Sequence, residues 1–183
     1  MKKTPSRQYL NECFTYDPLT GELFWKERPR HHFKTAMAWL SVNTRFAGKL
    51  AGSKHFQKNN TPGYITISTG STPMPAHNII FELMGVSIPA GMEVDHKNTD
   101  PFDNSWTNLR LATKAQNVSN RSVKKATKYN LPKGVTPHHL KFKSQICCNY
   151  KKLHIGLFDT PEEAHAAYCA KAKELHGEFA RFN

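Results

Sequence analysis

Acidic residues are scarce in this chain of 183 residues, with 14 Asp and Glu against 26 Lys and Arg and a formal net charge of +12. From Asn104 through Phe158 there is no acid at all, while the same stretch holds Arg110, Lys114, Arg121, Lys124, Lys125, Lys128, Lys133, Lys141, Lys143, Lys151 and Lys152. A solvated face mixes its signs, so a run this one-sided points to a polyanionic partner. Nucleic acid leads, because each phosphate neutralised rewards a Lys or Arg directly. Long apolar runs are missing too: nothing approaches the roughly 18 residues of a membrane span. No apolar stretch follows the charged start "MKK", so no signal peptide is expected there, and the protein is expected in the cytosol of its cell. No basic amphipathic helix offers a membrane-surface anchor, so no membrane partner is expected. The four cysteines, Cys13, Cys147, Cys148 and Cys169, form no CxxC pair, which excludes a zinc ribbon; they read as free thiols. Apolar residues make up 38% and the mean hydropathy is −0.62. A single large core is therefore unexpected, and small modules that stabilise one another or a partner fit better.

Four segments follow from the patterning. Residues 1–75 read as a loop-rich β region with scattered cations, suited to wrapping DNA. Its strands are "ELFW" after the turn "YDPLTG", and "GYITIS", where Ile65 and Ile67 alternate with Tyr64, Thr66 and Ser68. Residues 76–120 carry a short apolar helix, "AHNIIFELMG", then strands "GMEVDH" and "TNLRLA" and a second helix. Thr113 with Gln116 three residues on makes a capping box for that helix, with Asn117 in its first turn. Residues 121–131 read as a basic linker. In residues 132–183 two alternating strands, "KFKSQICCNY" and "KLHIGLF", precede a helix capped by Thr160, opened by Pro161, boxed by Glu163 and ended by Gly177. Phe142, Ile146, Cys148, Leu153, Ile155 and Leu157 are predicted to face that helix. Lys141, Lys143, Gln145, Cys147, Lys152 and His154 are predicted to form an open cationic face, and strands can read a groove as helices do. The fold class is α+β.

The chemistry concentrates in "EVDHKNTDPFDN", residues 93–104. Phosphodiester hydrolysis near neutral pH needs a base for water and a cation on the leaving oxygen. Histidine titrates near the working pH, and a carboxylate suits a hard cation such as Mg²⁺. Asp95 and His96 therefore supply half of a nuclease site, but an isolated Asp-His pair is commonly a surface pair. The context is more specific. Asn108 follows in "NLR" and Asn117 opens a helix. Asp100, Asp103 and Asn104 suit loop-shaping side-chain to backbone bonds, and His77 reads as a structural histidine.

With "AH" at 76–77, "DHKNTD" at 95–100, "DN" at 103–104, "NLRLAT" at 108–113 and "QN" at 116–117, the chain resembles the HNH endonucleases, in particular the phage and intron-encoded group. "YDPLTG" and "GYITI" resemble that group's N-terminal region, so the resemblance runs loosely over 9–121 and closely over 93–121. It implies a ββα-metal module with His96 as general base and Asp95 and Asn117 as ligands of one Mg²⁺ (or Mn²⁺) ion. Asn108 would brace the loop that carries the base. Asn78 and Ser105 stand where that group usually has arginine. Strand neighbours point to opposite faces, so Asp95 and His96 can serve one phosphate only if the strand ends or twists there.

The C-terminal segment, with "GV", "HIGLFDTPEEAHAAYCAKAKELHGEFARFN" and matching strand spacing, resembles the Apetala-two/ethylene-response-factor DNA-binding domain. That resemblance implies a three-stranded antiparallel sheet packed on one helix and lying in the major groove. Thr136, His138, Lys143, Gln145, Cys147, Lys152 and His154 fall on its contacting positions, and Lys141, Arg110, Lys114 and Arg121 add phosphate contacts from the acid-free stretch. Cys147 and His154 depart most from that family, so no target sequence is implied.

The expectation is a metal-dependent, homing-type endonuclease acting on double-stranded DNA and leaving 5′-phosphate and 3′-hydroxyl ends. It would need no small-molecule cofactor. It is expected as a monomer or weak dimer; a monomer with one active site most simply cuts one strand, and the sequence leaves nick against double-strand break open. The alternatives are a non-catalytic DNA-binding regulator with a spent nuclease module, and a binder of structured RNA.

Overall fold

A computed structural model describes residues 5–56, 60–69, 73–120, 130–148 and 151–182. Two compact units emerge, Met1–Ala90 with Val94–Leu111, and Gly91–Glu93 with Ala112–Asn183. Most of the basic linker, including Arg121, lies outside the described residues.

In the first unit, helix α1 (Arg7–Cys13) starts at Ser6, whose hydroxyl accepts from the Tyr9 N–H. Strands β1 (Phe14–Tyr16) and β2 (Leu23–Trp25) pair antiparallel, Phe14 opposite Trp25. A 3-10 turn at Arg30–His32 leads to helix α2 (Ala36–Phe46), capped by Thr35. Strands β3 (Ser53–Phe56), β4 (Pro62–Ser68) and β5 (Pro73–Pro75) form an antiparallel sheet in the order 3-4-5. Helix α3 (Ala76–Leu83) follows, and Gly85 ends its turn at a positive φ.

Residues 1–75 are more than a loop-rich arm. Leu10, Cys13, Phe14, Leu23, Trp25 and Ile67 share one core with Ile79, Ile80, Phe81, Val94 and Leu109. Each such large side chain contributes roughly 1.5–3 kcal/mol by leaving water. The physical reason is that α3 is apolar on most of its surface and has to be covered from several sides; α1, β4 and β5 supply the cover.

Strands β6 (Met92–His96) and β7 (Leu109–Thr113) pair as a two-stranded sheet, and helix α4 (Lys114–Ser119) continues from β7. Both halves of the Thr113–Gln116 capping box are formed. The order is strand, loop, strand, helix.

In the second unit, β8 (Val135–His138), β9 (Lys141–Cys148) and β10 (Lys151–Phe158) form an antiparallel sheet with β9 in the centre. Helix α5 (Pro161–His176) carries its own capping box, Thr160 with Glu163, and ends at Gly177 with φ +52°. Tyr168 and Ala172 of α5 pack on Ile146 of β9, joined by Ile155, Cys169, Leu175 and Ala180. Gly134 is obligatory here: its φ is +82°, and a Cβ would sit 2.0 Å from Cδ2 of Tyr168.

One expectation about this sheet is corrected. The register shifts between His154 and Gly156, so Ile155 is an extra residue in β10. A bulge reverses the faces beyond it. Leu153 stands opposite Ile146 on the helix side, but Leu157 stands opposite Lys143 and is 46% exposed on the cationic side. Phe158, opposite Phe142, takes the inward place instead.

Candidate active site and nucleic-acid interface

β6 ends at His96, and Val94, Asp95 and His96 are all buried. The two adjacent side chains meet different neighbours. Asp95, 5% exposed, accepts from Nε of Arg110 on β7 at 2.9 Å. A buried carboxylate requires such a counter-charge, because desolvation otherwise costs several kcal/mol. Arg110, expected to reach phosphate, is thus itself largely buried beside Asp95, its side chain 10% exposed.

His96, also 5% exposed, has Nε2 3.1 Å from Oδ1 of Asn104. An amide oxygen only accepts, so this contact makes Nε2 the protonated nitrogen and Nδ1 the basic one. Two rings flank the imidazole. Tyr64 lies parallel at 6.0 Å and His77 edge-on at 5.2 Å; Tyr64 and His77 also meet edge to face at 4.8 Å. Burial lowers the pKa of His96, opposed in part by the Asn104 hydrogen bond and by Asp95. His77 is lowered to about 3, by burial first and by the proximity of His96 second. Both imidazoles are therefore held neutral at neutral pH.

The loop between β6 and β7 uses its acids to shape itself. Asp103 accepts from the Ser105 N–H at 3.1 Å, the Ser105 hydroxyl at 2.7 Å and the Asn98 amide at 2.7 Å. Those bonds, led by the one from the Ser105 hydroxyl, hold its carboxyl below the ordinary range. Asp100 accepts from the Phe102 N–H at 2.9 Å, and Asn98 from the Asp100 N–H at 2.8 Å. Asn108 spans the loop: its Oδ1 accepts from the Asn98 N–H at 3.0 Å and its Nδ2 donates to the Asp103 carbonyl at 2.7 Å. Lys97 N–H donates to the Asn108 carbonyl at 2.9 Å.

The "YDPLTG" turn supports this loop from behind. The Tyr16 hydroxyl donates to the Asn104 carbonyl at 2.9 Å, and the Trp106 N–H donates to the Pro18 carbonyl at 2.9 Å. Gly21 has φ +79°, and a Cβ there would fall 2.3 Å from the carbonyl carbon of Asn104. Only glycine permits that approach. Asn104, the residue that holds His96, is itself 1% exposed, and its Nδ2 has no hydrogen-bond partner among the described residues.

Asn117, in α4, donates Nδ2 to Oε2 of Glu93 at 3.1 Å. A carboxylate only accepts, so this bond fixes the amide and leaves Oδ1 as the atom able to ligate a cation. Lys114 is exposed at the first turn of the same helix. Glu93 stands two residues before Asp95 and hence on the same side of β6. Asp95 and Asn117 offer hard oxygen donors, the donor type Mg²⁺ takes.

Sequence reasoning gives no place beside Asp95, His96 or Asn117 to four residues found next to them: Tyr64, His77, Glu93 and Asn104. Glu93 carries a local signal in its two-residue spacing from Asp95, and His77 and Asn104 stand in the "AH" and "DN" of the motif without a stated role at the site. Tyr64, His77 and Asn104 come from distant or loop positions and are brought in by packing.

In the second unit, strand register sorts the cationic residues. Thr136 opposes Lys143, His138 opposes Lys141, Gln145 opposes His154 and Cys147 opposes Lys152. Directly paired residues share a face. All eight therefore stand on the face opposite the one that Ile146 presents to α5. Lys141 is partly occupied by Asp159, 3.0 Å away at the surface.

Comparison with known proteins supplies a family for one segment. Residues 75–119 match the model of the HNH endonuclease family. The chain is also 36% identical over 112 residues to an "uncharacterized HNH endonuclease" of Acanthamoeba polyphaga mimivirus, an alignment covering 60% of this chain. The chain spans 57% of that relative's length. The match covers β6, β7 and α4 with the whole intervening loop, and on it we conclude that residues 75–119 form an HNH endonuclease family domain.

Proposed function

We propose that the protein is a metal-dependent endonuclease that hydrolyses phosphodiesters in duplex DNA, with His96 as the general base. The observation that carries this reading is the setting of His96: neutral, buried and tied through Nε2 to Asn104, inside the matched domain and next to Asp95. Nδ1 takes the proton from water as the oxygen attacks phosphorus, and the Asn104 side-chain carbonyl keeps the ring in the tautomer that can do so. Asn108 and Asp103 hold the loop bearing Asn104, so the base keeps its orientation through turnover. Asp95 and Asn117 would ligate one Mg²⁺ (or Mn²⁺) ion in a ββα-metal arrangement. When bound, that ion supplies positive charge to the leaving 3′ oxygen. Products would carry 5′-phosphate and 3′-hydroxyl ends.

The sheet β8–β10 would be the DNA reader, of the Apetala-two type, supported by the shared face of Thr136, His138, Lys141, Lys143, Gln145, Cys147, Lys152 and His154. Within the matched domain, exposed Lys114 would add a phosphate contact, while Arg110 stays paired with Asp95. A phage-type homing role, and action as a monomer that nicks one strand, complete the reading. The modules would be a DNA-wrapping region at 1–75, the nuclease at 76–120 and the reader at 132–183.

The buried Asp95–Arg110 ion pair favours a second reading, a regulator that binds DNA without cutting it, because the carboxylate already has a cation. Supercoiled plasmid incubated with the full chain and Mg²⁺, with and without chelator, separates the two. Relaxed or linear product that disappears with chelator supports the nuclease. Binding with no product on any DNA supports the regulator.

A further inference from the structure

Away from the matched domain, three potential metal ligands converge in the first unit. Oε2 of Glu12 lies 2.6 Å from Nε2 of His32 and 3.3 Å from Nε2 of His31. One ligand atom from each residue falls within 4.8 Å of the other two. We propose that Glu12, His31 and His32 form a binding site for a zinc-class transition-metal ion, separate from the nuclease centre.

Geometry and donor type both support this. Tetrahedral zinc with bonds of about 2.0–2.2 Å needs ligand atoms roughly 3.3–3.6 Å apart. The Glu12–His31 separation already meets that value, and the Glu12–His32 pair needs to open by about 1 Å or less. Two imidazoles with one carboxylate select zinc, cobalt or nickel over magnesium, which prefers oxygen.

His32 is also held as a metal-ligating histidine is held. Its Nδ1 lies 3.9 Å from Sγ of buried Cys13, within reach of a sulfur hydrogen bond, and its ring stacks on Tyr9 at 4.5 Å. A fixed second nitrogen orients the first, which is how outer-shell groups tune metal sites. His31 meets His32 edge-on at 4.7 Å and is exposed, so an ion can enter from solvent and a water can complete the set. Glu12 lies near the end of α1 and the two histidines in the 3-10 turn Arg30–His32, so a bound ion would clip these segments together.

The test uses the full chain in excess Mg²⁺, which occupies oxygen-donor sites without competing for imidazole. Zn²⁺ bound at equilibrium is measured by dialysis for wild type, His31→Ala and Glu12→Gln. Wild type is expected to hold one more zinc per chain than either variant, with the remaining affinity at that site down by about 100-fold or more. Zn²⁺ should also raise the melting temperature of wild type more than that of His31→Ala. His31 is a surface side chain, so this variant keeps the core intact. Equal zinc content in wild type and His31→Ala, or equal thermal shifts, would overturn the proposal. Neither readout involves DNA, so its failure leaves the nuclease reading untouched, and the reverse holds too.

Discussion

Acid should destabilise this protein in a measurable part through His77. Its folded pKa is about 3, against roughly 6.5 in an unfolded chain. Because the folded value is depressed, the unfolded chain binds the proton first as pH falls. Stability is therefore full above about pH 6.5 and declines between there and about pH 3. Each pH unit in that window costs about 1.4 kcal/mol, so at pH 5.0 the single site removes about 2 kcal/mol relative to pH 7.5. Urea unfolding at pH 7.5 and 5.0 reads this directly when wild type is set beside His77→Phe. The phenyl ring can still pack on Tyr64 and His96 but cannot titrate. Wild type should lose about 2 kcal/mol more than the variant over this pH step. His96, lowered in both proteins, cancels to first order. If both proteins lose the same amount, His77 is not held neutral by the fold and the account of its burial is wrong.

Three further outcomes follow from the geometry. Gly21→Ala forces a Cβ onto the Asn104 backbone at a positive φ, so it should cost about 2 kcal/mol or more in a thermal or urea melt and also depress cleavage. Asn104→Ala removes the acceptor for Nε2 of His96 and should lower the cleavage rate by about 10²–10⁴ while leaving DNA affinity within a few-fold. Unchanged turnover would show that the tautomer is not set by Asn104. Replacing Lys143 and Lys152 together by Ala should reduce the slope of log affinity against log salt by about 1.8, at roughly 0.9 for each phosphate no longer neutralised. An unchanged slope would remove β9 and β10 from the DNA interface.

Local chemistry is readable in the sequence, and non-local chemistry is not. The two capping boxes, Thr113–Gln116 and Thr160–Glu163, depend on residues three apart, and both are formed. β6, β7 and α3 follow from short apolar patterns within a few residues of their observed bounds. Helices α1 and α2 escape sequence patterning, though Ser6 and Thr35 stand at their N-caps, because neither shows a wide apolar stripe. The bulge at Ile155 has no signature in an alternating strand, so simple alternation puts Leu157 on the wrong face. Around His96, the Asp-His pair and the flanking asparagines are legible as a motif. Their partners are not: Arg110 lies 15 residues from Asp95, and His77 and Tyr64 come from α3 and β4. Such neighbours depend on how α3 and the sheets pack, which no short window contains.

The central claim is that His96 deprotonates the attacking water, and His96→Ala tests it most directly. Plasmid relaxation by wild type and variant, in Mg²⁺ at pH 7.5 and at DNA concentrations where both are fully bound, gives the comparison. The account expects cleavage to fall by about 10²–10⁴ with binding retained. Cleavage at the wild-type rate would contradict it.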